Sequence, residues 1–145
     1  MEVVVGDLMS SELVTLAEHE SLDLADEIMK LARIRHLPVV NNNRLVGLVT
    51  HRDLLRAQVS SLTELSDEES KDINSHIPVA QIMTRQVLTV KPTTTALEAA
   101  TIMAERKIGC LPVVMDEELQ GLITEADFLN LVIKALRTSD VTKED

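Results

Sequence analysis

Two tetrads in this chain have the residue types and spacing to hold a sugar or a phosphate: Thr50-x-x-Asp53 and Thr124-x-x-Asp127. Each follows a short apolar run of β-forming residues and opens a helical pattern. A helix start presents free N–H groups and a partial positive charge, which favour an anion. A threonine hydroxyl there can donate to a phosphate oxygen. An ionised aspartate offers two acceptor oxygens and no donor, which suits a pair of ribose hydroxyls. The same atoms have a plainer use. Threonine at the cap and a carboxylate at the third helical position make a capping box, in which each side chain satisfies the other residue's backbone N–H. Gly47 and Gly121 precede the two tetrads at the same distance, and each lets backbone or a ligand come close.

The tetrads belong to a longer repetition. Shifted by 74 residues, Val5–Val59 falls on Val79–Ile133 without a gap, and 17 of 55 pairs are identical. In the window 36–55 the count is 10 of 20. Agreement of that length means two copies of one supersecondary unit. Two copies related by a pseudo-two-fold would make two equivalent clefts where they meet.

The elements that position the tetrads follow from local pattern. Leu13–Leu16 reads as a strand. Ser21 caps a helix to about Ile34, with Leu24, Ala25, Ile28, Met29 and Ala32 at helical spacing. Leu37–Val40 and Leu45–Val49 are strands joined across Asn41-Asn42-Asn43, whose side chains tolerate positive φ. Thr50 opens a helix to about Leu62. The second copy repeats the order: a strand at Val87–Val90, a helix at Thr95–Lys107, a hairpin of Leu111–Met115 and Leu119–Ile123 across Asp116-Glu117-Glu118, and a closing helix Glu125–Arg137. The fold class is α+β: two pseudo-symmetric β-α-β-β-α repeats packed through small sheets. The first repeat covers 5–62 and the second 79–137. Between them lies an acidic linker, 63–78, with a short helical piece. A frayed tail covers 138–145.

Composition narrows the function. The chain has 145 residues and a net charge of −10, with no Trp, no Tyr and one Phe. Nucleic-acid binding would call for a basic stripe and aromatic platforms, and both are missing. No run of 18 or more apolar residues suggests a membrane span. The beginning of the chain lacks the pattern of a signal peptide, so the cytosol is expected. A single cysteine, Cys110, excludes a disulfide framework. Metal binding finds no support: His19, His36, His51 and His76 share no ligand spacing. Hydrolase and phosphate-loop motifs are absent, and no base neighbours Cys110 in sequence, which reads as packing rather than a nucleophile. An enzyme is therefore not expected. A structural dimerisation module with empty clefts is the competing reading.

Both copies resemble cystathionine-β-synthase (CBS) domains, and the pair resembles a Bateman module. The resemblance rests on Leu-Pro-Val-Val at 37–40 and 111–114, then Leu-x-Gly-Leu-(Val/Ile)-Thr-x-x-Asp-(Leu/Phe)-Leu at 45–55 and 119–129. It implies regulatory binding of an adenosyl compound: AMP, ADP, ATP, or a relative such as S-adenosylmethionine. It also implies clefts that mix the repeats. One would hold Thr50, Arg52 and Asp53 facing Val87, Leu88, Ile108, Gly109, Cys110 and Pro112. The other would hold Thr124 and Asp127 facing Leu13, Val14, Ile34, Arg35, His36 and Pro38. Apolar members would sandwich adenine, and strand backbone would read its edge. Arg35-His36 stand where basic residues often meet phosphate in this family. Gly109-Cys110 stand there in the second copy, and Glu125-Ala126 replace His51-Arg52. Arg35 and Arg52 are equally readable as solvated surface arginines.

A homodimer is expected from Glu125–Arg137. Asp127, Asn130, Lys134 and Arg137 form one narrow polar stripe, and apolar residues cover more of the helix than one core needs. The family resemblance suggests the same pairing. An effector protein recognised in trans is the remaining partner expected.

Overall fold

The structure, a computed structural model, describes residues 2–57 and 66–144. In chain order its elements are α1 (Val5–Leu8), α2 (Leu22–Ala32), β1 (His36–Asn41), β2 (Arg44–Thr50), α3 (His51–Ala57), α4 (Asp67–Asn74), a 3₁₀ turn at Val79–Gln81, α5 (Ala96–Arg106), β3 (Cys110–Met115), β4 (Glu118–Thr124) and α6 (Glu125–Glu144). The mixed α+β class is as expected. The expected extension of the Thr50 helix to Leu62 and the first linker residues lie outside the described residues.

The chain forms two compact units, and their boundaries cross the sequence repeats. One unit is Val14–Val87. The other joins Met1–Leu13 to Leu88–Asp145. The leading segment of each repeat therefore packs with the other repeat's hairpin and helices.

In the unit Val14–Val87, Ser21 caps α2 by accepting from the Leu24 N–H at 3.1 Å. Arg33 ends the helix in the left-handed region, at φ 56°. Leu22, Ala25 and Met29, spaced i, i+3, i+7, face the core. They meet Leu16, Leu37, Val39, Val49, Leu54, Val79 and Met83. β1 and β2 form an antiparallel hairpin with His36 opposite Thr50. Its two turn residues, Asn42 and Asn43, have φ of 50° and 65°. Two successive positive φ values match the twist of a tight hairpin, and asparagine adopts them at low cost.

The other unit repeats this plan closely. Thr95 caps α5 through the Glu98 N–H at 3.1 Å, and Lys107 ends it at φ 54°. Its core is Val5, Val90, Ala99, Met103, Leu111, Val113 and Ile123. β3 and β4 pair with Cys110 opposite Thr124. Both hairpins shift register at the same place, Val39/Val40 and Val113/Val114. The second turn needs only Asp116 and Glu117, at φ 52° and 69°. Glu118 already belongs to β4.

Two expected strands are corrected. The strands at Leu13–Leu16 and Val87–Val90 shrink to single parallel bridges, Leu16 with Val39 and Val90 with Val113. The reason is proline. Leu16 donates to the Pro38 carbonyl at 2.9 Å and accepts from Val40 at 2.8 Å. The next rung would need a Pro38 N–H aimed at the Val14 carbonyl, and proline has none. Pro112 stops the ladder short of Leu88 in the same way, after Val90 donates to Pro112 at 3.0 Å. α6 continues into the expected tail, to Glu144. Finally, α1 and the 3₁₀ turn at Val79–Gln81 had no signal in the periodicity, because each is a single turn or less.

Candidate functional site

Each unit carries one tetrad, and each tetrad makes the capping contacts its spacing allows. The Asp53 Oδ2 accepts from the Thr50 N–H at 2.9 Å, and the Thr50 Oγ1 accepts from the Asp53 N–H at 3.2 Å. The Asp127 Oδ2 accepts from the Thr124 N–H at 2.8 Å. There the Thr124 hydroxyl turns to donate to the same carboxylate oxygen, at 3.4 Å. The first box is reciprocal and the second one-sided. In both, these contacts use Oδ2. A carboxylate has about four acceptor positions, so capping does not exhaust either aspartate. Asp53, Asp127, Thr50 and Thr124 are all half-buried, within reach of solvent and a solute.

Hairpin register sets the neighbours of each tetrad. In the unit Val14–Val87, His36 lies opposite Thr50, and the His51 N–H donates to the Arg35 carbonyl at 2.9 Å. Arg35, His36, Thr50, His51, Arg52 and Asp53 are thus one local cluster. Ile34 is half-buried and Pro38 fully buried beside it, while Arg35 and Arg52 are exposed. In the other unit, Cys110 lies opposite Thr124, and the Glu125 N–H donates to the Gly109 carbonyl at 3.2 Å. Ile108 and Gly109 are half-buried there, and Pro112 is fully covered. Val87 closes the first unit. Leu13 and Leu88 belong to the second. The structure therefore gathers the residues of one repeat around each tetrad: Arg35-His36 with Thr50–Asp53, and Gly109-Cys110 with Thr124–Asp127.

The two clusters share a backbone and differ in charge. Positions 35, 36, 51 and 52 carry two arginines and two histidines. Their equivalents 109, 110, 125 and 126 are Gly, Cys, Glu and Ala. With histidine neutral, that is a formal +2 against −1.

Cys110 is buried in its unit. Burial pushes its thiol up to about 12, so thiolate is scarce at neutral pH. Among the described residues no group of three His, Cys, Asp or Glu side chains is placed to hold a metal ion. No helix among them is long and apolar enough to cross a membrane.

Val14 and Leu88 form another equivalent pair, 74 residues apart. Both are exposed apolar side chains, 45% and 44% accessible. Both stand where proline ends the parallel ladder.

The glycines serve packing. A Cβ on Gly47 would lie 2.4 Å from the Met83 Sδ, and one on Gly121 would lie 2.6 Å from the Ser10 carbonyl. The close approach is by the docked leading segments. Met9 and Met83 occupy equivalent positions, and that identity within the repeat was the available signal.

A family model for the CBS domain matches residues 5–60 and 79–134. The chain belongs to the CBS domain family. It is 36% identical over 140 residues to a CBS domain-containing protein of Dictyostelium discoideum, covering 94% of this chain and 95% of that one. The solved structures it resembles include two complexes with adenosyl compounds. CBSX2, in complex with AMP, is 29% identical with a TM-score of 0.76, covering 92% of this chain and 98% of that one. The CBS domain pair of MJ0100, with 5′-methylthioadenosine and S-adenosyl-L-methionine, is 26% identical with a TM-score of 0.76, covering 93% and 99%. Relatives named as enzymes are larger: this chain spans 24% of a homoserine O-acetyltransferase from Methanococcoides burtonii. What they share with it is the CBS region.

Proposed function

We propose that this CBS domain pair is a regulatory module that binds an adenosyl compound, with Asp53 and Asp127 accepting from ribose hydroxyls. One observation carries the reading. At two equivalent places a half-buried aspartate in the first turn of a helix keeps acceptor capacity beyond its capping bond. The exposed Val14 and Leu88 supply apolar walls for adenine. Their carbonyls, which Pro38 and Pro112 leave without a ladder donor, accept from its amino group. The relatives solved with AMP and with S-adenosyl-L-methionine support the ligand class. AMP, ADP and ATP are the nucleotides to compare first. Signalling then passes to an effector protein in trans, in the cytosol, and the chain performs no catalysis of its own.

Thermal denaturation with a ligand panel tests this. A compound that binds only the folded chain raises stability by RT ln(1 + [L]/Kd), about 2.7 kcal/mol at a hundredfold excess over Kd. We expect a rise with at least one of AMP, ADP, ATP and S-adenosylmethionine, competition by adenosine, and no rise with inorganic phosphate. No rise with any adenosyl compound at millimolar concentration, in protein freed of bound ligand, defeats the proposal.

A second reading has its own observation. On α6, Leu129, Val132, Ile133 and Leu136 are 62%, 49%, 46% and 58% accessible. Their i, i+3, i+4, i+7 spacing is a helix-pairing stripe. A homodimer through α6 fits it, with or without a ligand. Light scattering that reports one chain's mass at micromolar concentration removes it.

A further inference from the structure

We propose that the opening segment Val3–Ser10 is a docked peptide that a second copy of the chain can supply, so that copies can exchange segments. The segment lies in a different unit from the residues that follow Leu13. Val5 donates to Thr94 at 2.7 Å, Gly6 to Pro92 at 2.9 Å, and Ala96 to Val3 at 2.8 Å. Ser10 and Leu122 exchange both backbone bonds, at 2.9 and 3.0 Å. Val5 is fully buried in the core of that unit, and Met9 packs over Gly121.

The same docking recurs in the other unit. There Val79 donates to Glu20 at 2.7 Å, Ala80 to Glu18 at 3.1 Å, and Leu22 to Ile77 at 3.0 Å, while Leu48 and Thr84 exchange bonds at 3.0 and 2.9 Å. Each unit thus has one groove for one segment type. The difference lies in connectivity. Val79–Thr84 sits within the continuous stretch that forms its unit, whereas Val3–Ser10 is separated from its groove by all of Val14–Val87. The segment is tied to the folded stretch Val14–Val87 only through residues 11–15, so its docking contacts are the same whichever copy supplies it. Exchange between copies keeps every docking contact, which is the low-cost route to a swapped dimer. The connection can serve as a hinge. Residues 11–15 make no backbone–backbone hydrogen bond among the described residues, and Ser11, Glu12, Val14 and Thr15 are exposed.

Two full-length variants separate segment from groove. Val5→Asp spoils the segment and leaves the groove. Gly121→Ala puts a methyl against the Ser10 carbonyl and leaves the segment. We mix ¹⁵N-labelled Val5→Asp chain with unlabelled Gly121→Ala chain and follow amide exchange at Ala96 and Leu122 of the labelled chain. Docking from the other copy raises their protection about tenfold or more over the Val5→Asp chain alone. Unchanged protection overturns the proposal. Pairing through α6 leaves this readout untouched. Should either variant fail to fold, wild-type exchange decides. The amides of Val5, Gly6, Ser10, Ala96 and Leu122 must open together before those of Leu111 and Ile123. Simultaneous opening of all of them overturns the exchange.

Discussion

The two tetrads sit on frames with matching helix ends and hairpin register, yet their flanking residues differ in charge. In the unit Val14–Val87 the Thr50–Asp53 box is flanked by Arg35, His36, His51 and Arg52. In the other unit the Thr124–Asp127 box is flanked by Gly109, buried Cys110, Glu125 and Ala126. Helix caps, left-handed helix ends, hairpin register and the register shift all match. The repeat preserves what folds, and under the proposed function the residues just before Leu-Pro and just after Thr would set what each cluster binds. The basic cluster suits a ligand carrying phosphate. The acidic one suits an adenosyl compound without phosphate, or one bearing positive charge.

Ligand preference should break this comparison most visibly. Replacing Arg35 and Arg52 together by Ala removes charged donors worth about 1.5–3 kcal/mol each when bonded. We expect ATP affinity to fall at least about tenfold, with adenosine affinity changed much less. Glu125→Arg should raise ATP affinity and leave adenosine unchanged. Calorimetric titration reads both, and equal losses for ATP and adenosine would mean that the arginines serve stability alone.

Capping should differ more modestly. Thr50 gives its Oγ1 to the Asp53 N–H, while the Thr124 hydroxyl points at the carboxylate instead. Thr50→Ala is expected to lose about 0.5–2 kcal/mol of stability, and Thr124→Ala less. Urea denaturation checks the order, and a larger loss at Thr124 would reverse it.

The third difference is alkaline stability. The Cys110 thiol is held up to about 12 by burial, against an ordinary value of 9.0. The unfolded chain then loses this proton first. The contribution is complete below pH 9 and is lost as pH rises toward 12, with a slope of up to about 1.4 kcal/mol per pH unit. Cys110→Ala should flatten that part of the profile. Its equivalent position, His36, contributes no thiol to titrate. Denaturant midpoints for both chains from pH 8 to 11 measure the effect.

Much of this was legible from the residues. The 74-residue repeat, the Ser21 and Thr95 caps, the Asn42-Asn43 turn and the boxes at both tetrads follow from local pattern. Other features were settled by tertiary contacts. Leu13–Leu16 looked like a strand because propensity ignores that the partner, Pro38, cannot donate. Glu117 adopts positive φ because the hairpin imposes it, not because glutamate prefers it. The docking of each leading segment on the other repeat left only faint marks: Val5 matching Val79, Met9 matching Met83, and two glycines where an added methyl has no room. The tetrads were readable as chemistry or as caps. The structure shows the caps, and the acceptor capacity beyond them carries the proposed ribose contact.

A double cycle on ribose tests that last point most directly. AMP and its 2′,3′-dideoxy analogue are titrated by calorimetry into the wild-type chain and into Asp53→Asn and Asp127→Asn. If the aspartates hold the ribose, removing the hydroxyls costs about 1–3 kcal/mol in the wild type, roughly 5- to 150-fold in affinity. The same removal then costs little more in the variant whose aspartate holds the bound nucleotide. Equal losses in all three chains, after correction for the folded fraction, would leave Asp53 and Asp127 as capping residues and contradict the account.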